Sequence, residues 1–443
     1  MSATASVRVR PPALAWVVFA CAAFIYFVAV VQRTALGVAG VEALDRFGVE
    51  ALGLASLSVV QISVYAALQI PAGILLDRIG PKAMLAAGSL IMGAGQLLLA
   101  YADTLAWALA ARILIGAGDA PIFIAATRLA SEWFPPRQAP VMVQITGLLG
   151  QLGQLATAVP VALLLHEAGW STTFTVLATL GLVAAGLAMV RIRMPHPGEL
   201  PYAVAHPEPD PAVPAPSLRE SLRPPGVRLA FWAHWTGLFS ANTVALLWGV
   251  PFLIQGQGLS AAQASGLLTA LVITNLAAGP IVGTLTSRHP LRRSWLVLAY
   301  AGVAITAWAA VLTPSTPRPL WQLLIWIMVL GFGGPVALVA MDFARTFGMP
   351  RRLGTATGFA NVGGFAATVL SVALVGAVLQ WVAPGTSDYT LDDYRIALAS
   401  LALPFAMGIA GILWQRRRTR LVMAEAGVVV PSIRDAIAQG RRL

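Results

Sequence analysis

Three charged side chains stand inside otherwise apolar runs, and their types and spacing set the chemistry open to this chain: Arg33, Arg112 and Asp119. Arg33 lies in Tyr26-Phe-Val-Ala-Val-Val-Gln32-Arg33-Thr34-Ala-Leu-Gly37, with no carboxylate within a helical turn on either side. A cation at the centre of an apolar helix costs roughly 2.5–3.5 kcal/mol even on the most lenient scales. Arg33 must therefore face a polar cavity, an acid on another helix, or an anion from outside. The stretch Arg112-Ile-Leu-Ile-Gly116-Ala-Gly118-Asp119-Ala120-Pro121 sets a second cation and the acid two helical turns apart, so both project from nearly one face. A buried carboxylate with no fixed partner takes up a proton readily, whereas one beside an arginine ionises. An anion that occupies the arginine would then decide whether Asp119 holds a proton, which is the physical requirement for coupling the two. Two cations against one acid leave the set one negative charge short, and that deficit favours an anionic ligand. A fixed structural pair, Arg33–Asp119 or Arg112–Asp119, is the plainer reading of the same residues.

The elements that must position these charges are membrane helices. The chain has 443 residues, 58% hydrophobic and 11% charged, against about a quarter charged in soluble domains. Its apolar runs continue over about 20 residues, enough for a helix to cross ~30 Å of hydrocarbon, where barrel strands would alternate over about 10. Twelve spans are expected, near 14–38, 53–76, 83–101, 104–127, 140–165, 171–192, 229–254, 263–286, 295–312, 320–343, 355–382 and 395–415. The net charge of +11 does not point to nucleic acid, because the arginines sit in short loops and form no basic helix or aromatic-interleaved patch. Of the 29 lysines and arginines, Arg46, Arg318 and Arg395 fall on one side and Arg33 and Arg112 in the membrane; the rest gather on the other side. That asymmetry places both termini in the cytoplasm of a multi-pass plasma-membrane protein, the inner membrane of a bacterium. Lone Cys21 excludes an intrachain disulfide and a cysteine metal cage, and the first run is too long for a signal peptide. With no His/Cys cluster, nucleotide-binding glycine loop or ATPase motif, no enzyme, cofactor or metal is expected.

The chain divides into an N-terminal six-helix half (1–192), a Pro-rich linker (193–228), a C-terminal six-helix half (229–415) and a basic cytoplasmic tail (416–443). The linker holds Pro207, Pro209, Pro211, Pro214 and Pro216 and reads as a polyproline-like, largely disordered connection. The halves repeat. Gly73-x-x-x-Asp77-Arg78 recurs as Gly283-x-x-x-Ser287-Arg288, Gly116-x-Gly118 as Gly331-x-Gly333, Pro136-Arg137 as Pro350-Arg351, and Gly147 and Gly153 as Gly358 and Gly364. Near-equal offsets of 210, 215, 214 and 211 residues in the same order describe a parallel repeat.

Gly73-Ile-Leu-Leu-Asp77-Arg78-Ile-Gly80-Pro81-Lys82 resembles the signature loop of the major facilitator superfamily, and the two-half plan of that family matches the whole chain. The resemblance implies an all-α membrane fold of twelve helices in two pseudo-symmetric halves, with alternating access by rocking of one half against the other. It implies a conformational gate of Gly73, Asp77, Arg78, Gly80, Lys82 and Arg128. Two departures follow: Pro81 stands where a basic residue is usual, and Ser287 replaces the acid of the second copy, so the first half should build most of the charge cluster. Arg33-Thr-Ala-Leu-Gly-Val-Ala, Tyr65-Ala-Ala-Leu-Gln69-Ile-Pro71-Ala-Gly73 and Gly118-Asp119-Ala120-Pro121-Ile-Phe followed by Trp133-Phe134-Pro135 look like the anion:cation symporter branch. Members of that branch move organic anions with protons or sodium. The resemblance implies that Arg33 anchors the anionic group, that Asp119 takes part in proton coupling beside Arg112, and that Tyr65 lines the cavity. The branch often has an acid before the first arginine, and here Gln32 stands there, which leaves Asp119 as the only carboxylate expected deep in the membrane and one proton per cycle.

Tyr26, Gln61, Gln151, Asn242 and Asn361 are further candidates for the substrate site, each with an interhelical hydrogen bond as its alternative. His234 reads as structural. The second half offers no deep arginine, which suits a carboxylate better than a phosphate. Trp16, Trp107, Trp133, Trp170, Trp295, Trp321 and Trp381 fall near span ends, where interfacial anchoring is the default; Trp248 and Trp326 lie deeper, where a ligand could stack. The expected function is secondary active transport, proton-coupled symport of a small organic carboxylate, with the proton, the anion and membrane lipid as partners and a monomer sufficient. Proton-antiport efflux of a drug or metabolite, an organic phosphate antiporter, and a transporter-like ligand sensor are the alternatives.

Overall fold

The computed structural model describes residues 11–48, 51–196, 199–200, 216–384, 388–428 and 430, and every regular element among them is helical. The first elements are α1 (Ala13–Val38), α2 (Gly40–Phe47), α3 (Ala51–Tyr101), α4 (Leu105–Trp133), α5 (Ala139–Ala156) and α6 (Ala162–Arg191). Among the described residues ten helices are long and apolar enough to cross a membrane. Glycine bends divide two of these stretches: Gly80 in α3 has φ 78° and Gly169 in α6 has φ 76°, a left-handed backbone that residues with a Cβ avoid. With α5 and the π-helical turn Thr157–Val161 running into the first arm of α6, the crossing segments number the twelve expected. Some ends move outward: α4 continues to Trp133, and the last helix, Ala402–Glu425, carries Arg416, Arg417 and Arg418 instead of releasing them into a tail.

The chain packs as two compact units. One runs to Pro216 and includes Pro350–Gly358; the other comprises Ser217–Met349 and the chain from Phe359 onward. In lipid, helices gain little by burying apolar side chains against each other, so close backbone approach through small residues drives their association. In the first unit a Cβ on Gly116 of α4 would stand 2.6 Å from the carbonyl oxygen of Gln61 on α3, and one on Gly88 of α3 would stand 2.6 Å from that of Gly118. In the second unit a Cβ on Gly331 would stand 2.9 Å from the carbonyl oxygen of Leu271. Leu271 follows Gln61 by 210 residues, and Gly331 follows Gly116 by 215, so the repeat read in the sequence recurs as the same helix contact.

Three expectations change here. Trp133 and Trp170 are not interfacial: both are buried, because each indole N–H finds a carbonyl, that of Arg193 and that of Leu99, both at 2.9 Å. Trp16, Trp107, Trp295, Trp321 and Trp381 are exposed. Part of the Pro-rich linker, residues 197–198 and 201–215, lies outside the described residues. Its described ends are not extended: Arg193 pairs with Glu199 at 2.7 Å, Ser217 caps the turn Leu218–Ser221, and the helix Pro225–Thr243 starts inside the range expected for the linker.

Gly116→Ala should lower thermal stability in detergent by about 1–3 kcal/mol, since its methyl group meets backbone that must move. Gly186→Ala on α6, where a Cβ meets nothing within 4 Å, should leave the melting temperature unchanged or raise it.

Candidate functional site

The close approach of α3 and α4 at Gly116 and Gly118 fixes the frame into which α1 presents Arg33. Its Nη1 donates to Oδ2 of Asp119 on α4 at 3.0 Å. The Asp119 side chain is fully buried, while that of Arg33 keeps 23% of its surface exposed, so the pair has one accessible partner. Of the three ways to satisfy Arg33, the fold uses an acid on another helix. The other arginine of α4 is handled differently. Arg112 Nε donates to the Leu57 carbonyl at 3.3 Å and Nη2 to that of Arg33 at 3.5 Å, so backbone, not the carboxylate, takes its hydrogen bonds. Nη1 of Arg112 and Oδ1 of Asp119 are buried without a hydrogen-bond partner in the protein.

Aromatic rings complete the surroundings of Arg33. The guanidinium carbon lies 5.6 Å from the Tyr65 ring centroid, a cation–π distance, and the Tyr26 hydroxyl is also directed at it. Tyr26 is held in turn by Gly150 of α5, where a Cβ would stand 2.8 Å from its ring, and it packs on Phe123 of α4. Gln32 turns the other way: its Nε2 donates to the Leu177 carbonyl at 2.9 Å, and Gln96 donates to its backbone oxygen at 2.7 Å. The residue before Arg33 is thus a tie between α1, α3 and α6.

The remaining candidates scatter. Gln151 is half-buried on α5. Gln61 is buried, lies against Gly116, and leaves both amide atoms without a partner. In the second unit Asn242 donates to Thr368 Oγ1 at 3.3 Å, and Asn361 is buried beside His234, whose Nδ1 accepts from the Gly364 N–H at 3.1 Å. Trp248 donates to the Val372 carbonyl at 3.0 Å, and Trp326 is wholly buried against Trp308 and Phe252, so it stacks on protein.

Asp77 is the hub of a second charged site. Its Oδ1 accepts from Arg128 Nη1 at 3.0 Å and the Gly354 N–H at 2.7 Å; its Oδ2 accepts from the Thr355 N–H at 2.8 Å and hydroxyl at 2.7 Å. The carboxylate caps the N-terminus of the helix Leu353–Val382, where unpaired N–H groups and the helix dipole favour a negative charge. Gly73 allows the approach: a Cβ there would overlap the Gly354 carbonyl. Gly80 supplies the bend. Arg78 and Lys82 are exposed.

The second half also holds a buried charge cluster: Asp342, on the helix Val339–Phe347, pairs with Arg293 and Arg345. This cluster sits at helix ends, Arg293 being the first residue of the helix Arg293–Leu312. The local signal was Asp342-x-x-Arg345, an i, i+3 pair at the end of an expected span. Among the described residues no group of three or more His, Cys, Asp or Glu could hold a metal ion.

A family model described as Major Facilitator Superfamily matches residues 22–372. The probable sulfoacetate transporter SauU of Cupriavidus necator is 30% identical over 157 residues, 35% of this chain and 36% of the relative. The probable galactarate/D-glucarate transporter GudP of Escherichia coli is 29% identical over 218 residues, 46% of this chain and 48% of the relative. The probable galactarate/D-glucarate transporter GarP of the same organism is 26% identical over 342 residues, 71% and 73%. The chain thus spans 36% and 48% of the length of the first two curated relatives. A crystal structure of the E. coli fucose:proton symporter FucP superposes with a TM-score of 0.69 over 90% of this chain and 98% of that one, at 17% identity. A structure of FucP in the outward conformation gives 0.66 at 16%. At such identities the likeness is one of fold.

Asp77→Asn should speed amide exchange at Gly354 and Thr355 about tenfold, because hydrogen bonds to a charged acceptor contribute roughly 1.5–3 kcal/mol. Hydrogen–deuterium exchange read by mass spectrometry checks this, with the α1 peptide as the unchanged control.

Proposed function

The chain belongs to the Major Facilitator Superfamily, and from that premise we propose that it is a proton-coupled symporter of a small organic anion, a carboxylate or a close equivalent. The observation that carries the reading is the Arg33–Asp119 pair with its one-sided exposure: the cation is reachable and the acid is sealed. An entering carboxylate competes with Asp119 for the same guanidinium. If it takes Nη1, the Asp119 carboxylate loses the one hydrogen-bond donor it has among the described residues, in a dry setting where an unpaired charge costs several kcal/mol. Taking a proton removes that cost. The anion and the proton therefore occupy the protein together and leave together, and after release Arg33 and Asp119 pair again.

In this scheme Arg33 binds the anionic group, with Tyr26 and Tyr65 as its neighbours, and Gln151 of α5 is a further polar candidate of the first unit. Arg112 keeps the surroundings of Asp119 positive without competing for the substrate, since its hydrogen bonds go to Leu57 and Arg33 carbonyls. Gln61 is left out of the substrate set because it is buried against Gly116. Asp77 with Arg128, Gly73 and Gly80 forms the conformational gate, and Arg78 and Lys82 add surface charge. The curated relatives named for sulfoacetate and for galactarate and D-glucarate support an anion, and a reachable single arginine favours carboxylate over phosphate. The charge asymmetry of the loops supports cytoplasmic termini in a plasma membrane.

Asp119→Asn should retain substrate counterflow in liposomes and lose proton-driven accumulation; accumulation against the gradient in that variant would sink the coupling scheme. A panel of monocarboxylates, dicarboxylates and sulfonates should raise the melting temperature of the wild type and have no effect on Arg33→Ala. Stabilisation by lipophilic cations instead would favour an efflux role.

A further inference from the structure

Between Arg112 and Asp119 along α4 lies a rise of about 10 Å, and the side chain packed in the middle of it is Gln61. A Cβ on Gly116, which lies between the two charges, would stand 2.6 Å from the Gln61 carbonyl oxygen and 3.3 Å from its Cγ. One turn earlier on α3, Leu57 takes the Arg112 Nε–H. Gln61 is 1% exposed, and neither its Nε2 nor its Oε1 has a partner in the protein; the same holds for Arg112 Nη1 and Asp119 Oδ1. Four buried polar atoms on three side chains of the α3–α4 packing are thus unsatisfied, donors and acceptors both among them.

The fold does not require this. At the repeat-related contact of the second unit, where Gly331 meets the carbonyl of Leu271, the place of Gln61 is taken by Leu271. The places of Arg112 and Asp119, at the 215-residue offset of the glycine pair, are taken by Ile327 and Gly334. The same backbone contact is built there without a glutamine or a charged residue, beside Thr274 and Asn275, and an orphaned buried amide in the first unit is a destabilising choice unless something uses it.

We propose that Gln61, Arg112 and Asp119 Oδ1 form a buried water site that carries the proton to and from Asp119, with Gln61 as its positioning residue. A buried water needs two to four polar partners, and the four orphaned atoms supply both donors and acceptors. When the proton leaves, the bond from Oδ1 to hydrogen breaks and the water oxygen takes that proton; one of the water's own O–H bonds breaks, and that proton passes to a second water molecule, which carries it to bulk solvent as hydronium. The carboxylate left behind is neutralised by Arg33. Arg33 and Arg112 both act on Asp119, and Tyr26 and Tyr65 face Arg33, so the charged groups around the water are two arginines and one acid. The anion enters on the reachable side of Arg33, and the proton moves on the sealed side, along α4.

This inference rests on Asp119 as the proton carrier, so the two must be tested side by side. The variant is Gln61→Leu, the side chain that the second unit carries at the same contact. In liposomes with an internal pH dye, substrate-linked proton entry should fall about a hundredfold, the low end of what a positioned proton-transfer group contributes. Substrate counterflow and the melting temperature should stay at or above the wild-type level. Wild-type proton entry in Gln61→Leu, with Asp119→Asn uncoupled, would overturn the water site and leave the coupling scheme standing. Loss of counterflow in Gln61→Leu would also overturn it, in favour of a structural or substrate-binding role. Proton entry that persists in Asp119→Asn would remove the coupling scheme itself.

Discussion

The charged site of the first unit answers to one constraint: a carboxylate sealed from water, Asp119, must keep a cationic partner, and Arg33 supplies it. Arg33 and Asp119 lie on helices far apart in sequence, and neither has a local partner that would make it tolerable alone. A buried pair of this kind contributes little net stability, since desolvation consumes most of the attraction, yet separating it is expensive. In the proposed scheme that imbalance makes the pair a switch: an anion replaces Asp119 at Arg33, and a proton then removes the charge of Asp119.

The helix packing serves the same end. Glycines at the α3–α4 contact bring the two backbones close enough that Leu57 and Gln61 of α3 stand beside Arg112 and Gly116 of α4. Arg112 is stabilised by carbonyl oxygens and so stays out of the exchange between Arg33 and Asp119. The ring face of Tyr65 and the hydroxyl of Tyr26 also stabilise the guanidinium. Asp77 applies related physics at a helix end, where its negative charge meets an arginine and the unpaired N–H groups of Gly354 and Thr355.

Membrane helices are legible in sequence because the bilayer allows so few solutions, and the repeat was legible because glycines that set backbone contacts cannot drift. The need of Arg33 for a partner could be read from cost alone. Which partner it takes could not, because the register of α1 on α4 depends on contacts spread over Tyr26, Phe123 and Gly150. Asp342 escaped notice for a related reason: its main partner, Arg293, is distant in sequence and looked like a loop charge. Trp133 and Trp170 misled in the opposite sense, since proximity to a span end suggested an interface while their N–H groups had found carbonyls inside the protein. The orphaned amide of Gln61 was visible only once Gly116 was seen lying against it.

The central claim is that substrate and proton bind because they share one arginine. Proton uptake on ligand binding tests it most directly: purified protein in weakly buffered detergent solution is mixed with a saturating carboxylate ligand while a pH dye is followed. The account expects about one proton taken up per ligand bound in the wild type and none in Asp119→Asn, with the ligand still bound in both. Carboxylate binding to the wild type with no proton uptake would contradict it.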